Sequence, residues 1–268
     1  LRYPGFKYKA VTLSYDDAVI YDRKLIEIMN KHGLKGTFNI NSGLFGVDKI
    51  KLTKEEAHDL YTNSGQEIAV HGERHLSLAA VDEGMATFDV AKDRFNLENM
   101  FGRIVKGMAY ANGSFNDRVV EILKACGINY SRTVISTGNF ELPTEWLRLN
   151  PTCHHNDPKL MEYVKHFLEL EKRMDAPPKL FYLWGHSYEF NNDDNWDVIE
   201  NFAKEISGKD DIWYATNGEI YDYVKAFESL VFSADGSIIY NPTAIDIHLC
   251  CFGKEIMVGS GETVKADS

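Results

Sequence analysis

"AVTLSYDDA", residues 10–18, decides how the rest of the chain is read. Ala10, Val11 and Leu13 form a short apolar run of the kind that makes a buried strand. It stops at two adjacent carboxylates, Asp16 and Asp17, where a strand hands over to a loop. Two like charges so close raise one pKa unless a cation lies between them. The plainer reading is a helix-start cap ahead of "AVIYDRKLIEIM".

Working outward, the same alternation repeats. "YDRKLIEIMNKHG" carries Leu25, Ile28 and Met29 at helical spacing, with Gly33 as the stop. "KGTFNI" reads as a strand. "TKEEAHDLYTNSG" opens with Thr53 and has Glu56 three residues on, a capping box. "QEIAV" is a third strand, and a helix is expected over roughly 81–100. "VKGMAY", "INYSRTV", "KLFYLWGH" and "DIWYAT" read as further strands, with "EWLRLN" as an additional candidate. The segments "NDRVVEILKACG", "PKLMEYVKHFLEL", "NWDVIENFAKEI" and "NGEIYDYVKAF" read as helices. Short apolar strands alternating with helices predict an α/β fold with a parallel sheet covered by helices. At 268 residues a (β/α) barrel fits better than several domains, with a doubly wound sheet as the alternative. From about Ser229 the texture changes to short strand-like runs, including a hairpin signal at Asp235-Gly236. The expected division is a barrel over 1–228 and a small C-terminal β appendage over 229–268.

Composition narrows the function. A net charge of -11 argues against nucleic-acid or anionic-membrane partners. No apolar run is long enough for a transmembrane segment. The chain begins at Leu1 rather than Met, so the lack of a visible targeting segment carries little weight and the compartment stays open. The four cysteines, Cys126, Cys153, Cys250 and Cys251, match neither a disulfide framework nor a cysteine zinc knot. Oligomeric state cannot be read.

In barrels and open sheets, chemistry gathers where the parallel strands end. Asp16 and Asp17 follow the first strand, His71 and His75 follow "EIAV", "ANGSFND" follows "GMAY", and His186 follows "KLFYLWG". An i, i+4 histidine pair on a helical turn can share a metal, and one carboxylate completes a set that leaves room for water or substrate. His154 and His155, in "PTCHHND", are candidates to line a substrate groove, tune His186 or meet a second ion; a loop packed by polar contacts is the alternative. Trp184, Tyr188 and Phe190 read equally as a sugar-stacking surface or as core, and Glu189 as a substrate contact or a solvated acid.

Taken in order, these motifs resemble the polysaccharide deacetylase family, the NodB-like carbohydrate esterases of family 4. The family's Thr-Phe-Asp-Asp-Gly is matched by Ser14-Tyr15-Asp16-Asp17-Ala18, and its His-Ser/Thr-x-x-His by His71-Gly72-Glu73-Arg74-His75. Its late Leu-x-His is matched around Trp184 and His186 in "FYLWGHSYEF". The third motif, Arg-x-Pro-Tyr, departs: the chain has Ala109-Tyr110-Ala111-Asn112, and Arg74, Arg132 and Arg148 are the candidates to replace the missing arginine. The fourth motif, which tunes the acid histidine, has no clean match. The resemblance covers about Lys9 to Phe227.

It implies a distorted (β/α) barrel and a metal-dependent hydrolase that removes N-acetyl groups from an acetylated carbohydrate substrate, an amino-sugar-containing polysaccharide or oligosaccharide. Asp16 would be the catalytic base and His186 the acid. Asp17, His71 and His75 would hold a divalent ion, Zn2+ by default with Co2+ or Ni2+ as alternatives. A backbone N–H near Asn112 would stabilise the oxyanion. The rival readings are an O-acetyl esterase or non-sugar amidase on the same scaffold, and an inactive carbohydrate-binding protein.

Overall fold

The computed structural model describes residues 1–266. Strands and helices alternate as β1 (Lys9–Asp16), α1 (Asp22–Lys31), β2 (Gly36–Ile40), α2 (Lys54–Thr62), β3 (Glu67–Val70), α3 (Glu83–Phe101), β4 (Gly107–Ala109), α4 (Asp117–Ala125), β5 (Tyr130–Arg132) and β6 (Cys153–His154). They continue as α5 (Leu160–Glu169), β7 (Lys179–Gly185), α6 (Ser187–Asn192), α7 (Asp197–Ile206), β8 (Ile212–Tyr214) and α8 (Asn217–Glu228). Every residue of β1 and of β2 is buried. Helices cover their outer face and side chains fill the inner one, which is why these strands lack polar alternation.

The strands are parallel in the order β5-β4-β3-β2-β1-β7-β6, with β8 also against β1. β1 is central. β7 pairs with it from Lys9 to Tyr15, while its other edge is divided between β8, at Lys9–Val11, and β2, at Leu13–Asp16. The sheet curls into an incomplete barrel whose free edges are β5 and β6. "EWLRLN" bridges this gap as a 3-10 turn over Trp146–Arg148 rather than as a strand, and only Leu149 pairs with Arg132. A second difference is α6, the short helix after His186, which sequence periodicity did not mark.

Local signals behave as their chemistry dictates. Thr53 accepts from the Glu56 N–H and Glu56 accepts from the Thr53 N–H, so both halves of the capping box form. α1 buries Leu25, Ile26, Ile28 and Met29, each contributing roughly 1.5–3 kcal/mol against the barrel.

The C-terminal part comprises β9 (Val231–Phe232), β10 (Ile238–Tyr240), β11 (Ile247–Cys251), β12 (Lys254–Val258) and β13 (Thr263–Lys265). β9, β10 and β13 make one antiparallel sheet, and β11 and β12 a hairpin. Ile239, Ile247, Leu249 and Val258 share a core with Tyr3, Ala10, Leu180 and Tyr223. The appendage is therefore packed under the barrel, where β1 and β7 begin, and the rim where they end stays clear. The last two residues of the expected appendage lie outside the described residues. All four cysteines are free thiols. Among the described residues no helix is long and apolar enough to cross a membrane.

Candidate active site

Because the strands run parallel, their last residues meet on one rim. Asp16 ends β1 almost wholly buried. Its Oδ1 accepts from Asn39 Nδ2 on β2 at 2.8 Å, and its Oδ2 accepts from Arg132 on β5. The Arg132 guanidinium is itself buried and lies 4.3 Å from the Trp184 ring centre. Burial alone would raise the Asp16 carboxyl. Arg132, with the imidazoles of His71 and His186, overcomes this and holds it at about 2. Of the three candidate arginines, Arg132 is the one that reaches Asp16.

Asp17 turns the other way. It and Ala18 have φ of 89° and 51°, so the backbone reverses and the two adjacent carboxylates face different partners. Ala18 stands where the family motif has glycine; left-handed backbone costs a non-glycine residue about 1–2 kcal/mol. Asp17 Oδ1 lies 3.7 Å from His75 Nε2 and 3.2 Å from Lys51 Nζ, which also donates to the Asp17 carbonyl.

The histidine pair is not on a helical turn. Residues 71–75 form an irregular loop after β3, with positive φ at Gly72 (82°) and His75 (57°). The left-handed residues bring the two rings together, with centroids 4.9 Å apart. His71 is buried, which pushes its pKa down and keeps the ring neutral. Its Nδ1 donates to the Ala109 carbonyl at 2.8 Å, so Nε2 carries the lone pair. That Nε2 is buried with no hydrogen-bond partner. Donor atoms of Asp17, His71 and His75 lie within 4.8 Å of one another. A buried, unpartnered imidazole lone pair facing a second imidazole and a carboxylate suits a divalent metal ion.

His186 follows β7 and sits across from this trio. Its Nε2 is 3.7 Å from Asp16 Oδ2, the same distance as His71 Nε2. Behind it, Glu189 Oε2 lies 3.4 Å from His186 Nδ1, 3.1 Å from His154 Nε2 and 3.1 Å from His155 Nε2. Burial pulls the His186 pKa down, but the Glu189 hydrogen bond and the Asp16 charge outweigh it, and the net shift is upward. Burial would raise Glu189, yet the three imidazoles carry it far below the carboxylate range.

His154, His155 and Glu189 also bring donor atoms within 4.8 Å, but they do not fit a second ion. His154 Nδ1 accepts the Asn156 N–H at 3.1 Å, so the neutral ring carries its hydrogen on Nε2, the atom that faces Glu189. This cluster backs His186, whose backbone N–H also donates to Glu189 Oε2 at 3.2 Å. His155 is almost wholly buried, stacked between Tyr15 and Phe190. Trp184 packs on Arg132, and Phe190 is wholly buried, so neither offers a stacking face for a sugar; Tyr188 is partly exposed. Asn112, at φ 56°, donates through Nδ2 to Ser77 Oγ at 3.1 Å and sits on the rim beside His75.

Sequence reasoning passed over Asn39 and Lys51 and undervalued Glu189. Asn39 had a signal, since it is a polar residue inside the strand "KGTFNI" next to the acid-bearing one. Glu189 is three residues after His186, a spacing that matters only once α6 is known to start there. Lys51 comes from a loop and left no pattern.

The polysaccharide deacetylase family model matches residues 5–131. The match spans just under half of the chain, and it marks a similarity to that family. Among solved structures it resembles a putative polysaccharide deacetylase from Mycobacterium smegmatis, with 16% identity, TM-score 0.61, and 85% of this chain and 94% of that one covered. A family 4 carbohydrate esterase from Streptomyces lividans, in complex with acetate, matches with 14% identity, TM-score 0.53, and coverage of 77% and 92%. A CE4 family pseudoenzyme from Bacillus anthracis matches with 17% identity, TM-score 0.54, and coverage of 82% and 67%. At these identities the likeness is one of fold. No curated protein matches the chain significantly.

Proposed function

We propose that this chain is a metal-dependent deacetylase that hydrolyses N-acetyl groups on an amino-sugar-containing polysaccharide or oligosaccharide. The observation that carries the reading is the position of Asp16 Oδ2, held by Arg132 and 3.7 Å from both His71 Nε2 and His186 Nε2. A base, an ion-binding imidazole and an acid thus surround one small space.

Asp17, His71 and His75 would hold the ion. When bound, a divalent ion supplies Lewis acidity, raising the acidity of water and polarising the acetyl carbonyl. Asp16 stays ionised and takes the proton from the attacking water. The oxyanion of the tetrahedral intermediate is met by a backbone N–H near Asn112, a role that needs no particular side chain. His186, whose pKa Glu189 and Asp16 raise, delivers its Nε2 proton to the leaving amine. The products are acetate and a free amino sugar.

The test is acetate release from a panel of N-acetylated sugar oligomers, with zinc-loaded and chelated protein side by side. Release that needs zinc supports the reading. Release from O-acetylated substrates alone would replace it with an esterase. Bound zinc without turnover on either class would make this a carbohydrate-binding relative that has lost activity.

A further inference from the structure

The loop that carries His71 and His75 lacks regular backbone pairing, and Gly72 offers no side chain to brace it. Its shape nevertheless has to be held, because the ring positions depend on two left-handed residues. Backbone bonds hold part of it, the His71 N–H to the Ile40 carbonyl and the Gly43 N–H to the Glu73 carbonyl, both at 3.0 Å, and three side chains add to these. Asn41 Nδ2 donates to the His71 and Gly72 carbonyls, both at 2.8 Å. Asp93 Oδ2 accepts the His71 N–H at 3.0 Å, and its Oδ1 accepts the Ser42 N–H at 2.7 Å. Asp89 Oδ1 accepts the Arg74 N–H at 3.1 Å and lies 3.4 Å from Arg74 Nε.

Asp89 and Asp93 sit one turn apart on α3 and are wholly buried on the face that also packs Ala86, Val90 and Leu97. Two carboxylates on the core face of a helix are costly unless each is hydrogen-bonded. Here the N–H partners come from the two segments that frame the proposed ion site. Asp89 also crowds Gly72, where a Cβ would come within 2.5 Å of Oδ2.

We propose that Asp89 and Asp93 are positioning residues for the ion site: a clamp on α3 that fixes the backbone of residues 71–75 so that His71 and His75 converge with Asp17. The inference rests on the reading of that trio as an ion site. The clamp is a matter of geometry. An asparagine at position 93 turns one acceptor into a donor facing an N–H, so one of the two bonds is lost.

The experiment compares wild type with Asp89→Asn, Asp93→Asn and the double variant. Zn2+ affinity is measured by competition with a chromophoric chelator, and amide hydrogen exchange is followed in the chelated protein. Glu67→Gln is the control. Glu67 accepts from Gly218 N–H and the Thr37 hydroxyl at the opposite end of β3, so it tests the same chemical change away from the loop. Each clamp variant is expected to lose roughly 10- to 100-fold in zinc affinity. Exchange should rise at Ser42 or His71 in Asp93→Asn, whichever N–H loses its acceptor, and at Arg74 in Asp89→Asn. Glu67→Gln should lower the melting temperature without changing zinc affinity. Wild-type zinc affinity and unchanged loop exchange in the variants would overturn the clamp. Equal zinc losses in the control would reduce it to general destabilisation. If wild type bound no zinc, the ion reading would fall, and the exchange pattern would still decide whether α3 holds the loop.

Discussion

Arg132, at the end of β5, donates to Asp16, at the end of β1, although three strands lie between them in the sheet. The contact exists because the sheet curls until those ends face each other across the barrel mouth. Trp184, at the end of β7, supports the guanidinium from a third direction.

Arg132→Met should therefore act on Asp16. Removing one partner of a buried ion pair costs about 3–5 kcal/mol, visible as a lower denaturation midpoint. The Asp16 carboxyl, held at about 2 with Arg132 present, should rise. The acid limb of the kcat/KM profile should move to higher pH, with zinc stoichiometry unchanged. An unmoved acid limb would separate Arg132 from the base.

His186→Ala should lower kcat by roughly 10²–10⁴ while zinc still binds. Glu189→Gln removes the carboxylate that raises the His186 pKa. The acid form is the active one, so the alkaline limb should shift to lower pH. A Glu189→Gln profile superimposable on wild type would mean that Glu189 only packs the loop.

The two adjacent acids should separate by phenotype. Asp17→Asn, like His71→Ala and His75→Ala, should abolish stoichiometric zinc binding. Asp16→Asn should retain zinc and lose turnover. Metal analysis after dialysis, beside acetate release, gives both readouts. Zinc loss in Asp16→Asn alone would exchange the two roles.

Asp22 offers a stability test away from the chemistry. It is buried, accepts from Tyr61 and Ser187, and burial pushes its carboxyl up to about 7 from 3.8. The folded state then holds a proton that the unfolded state releases. Its contribution is present at low pH and is lost as pH rises toward 7, by at most roughly 4 kcal/mol. Asp22→Asn should cost most near pH 4 and least near pH 8, measured as the difference in unfolding free energy from wild type. A cost independent of pH would mean that Asp22 is ionised throughout.

Much of this was legible in the sequence because it is local. Apolar runs with capping and stop signals marked most of the elements, since burial on both faces of a parallel strand and on one face of a helix leaves a pattern in the residues themselves. Chain order also placed Asp16, Asp17, His71, His75 and His186 at strand ends. The shape of the histidine loop was not legible. An i, i+4 spacing suits a helical turn, but two residues in left-handed backbone satisfy it as well, and tertiary contacts of the loop select between them.

What the sequence determined by itself was the alternation, and through it the parallel sheet and the rim on which the reactive side chains end. Tertiary structure decided which of them meet. Arg132 rather than Arg74 or Arg148 reaches Asp16, Glu189 gathers His154, His155 and His186, and Trp184 is turned into packing. The physical reason is that hydrogen bonds and ion pairs act over about 3–4 Å, whereas the chain separations involved run to more than a hundred residues. Only the curl of the sheet brings such distant residues together.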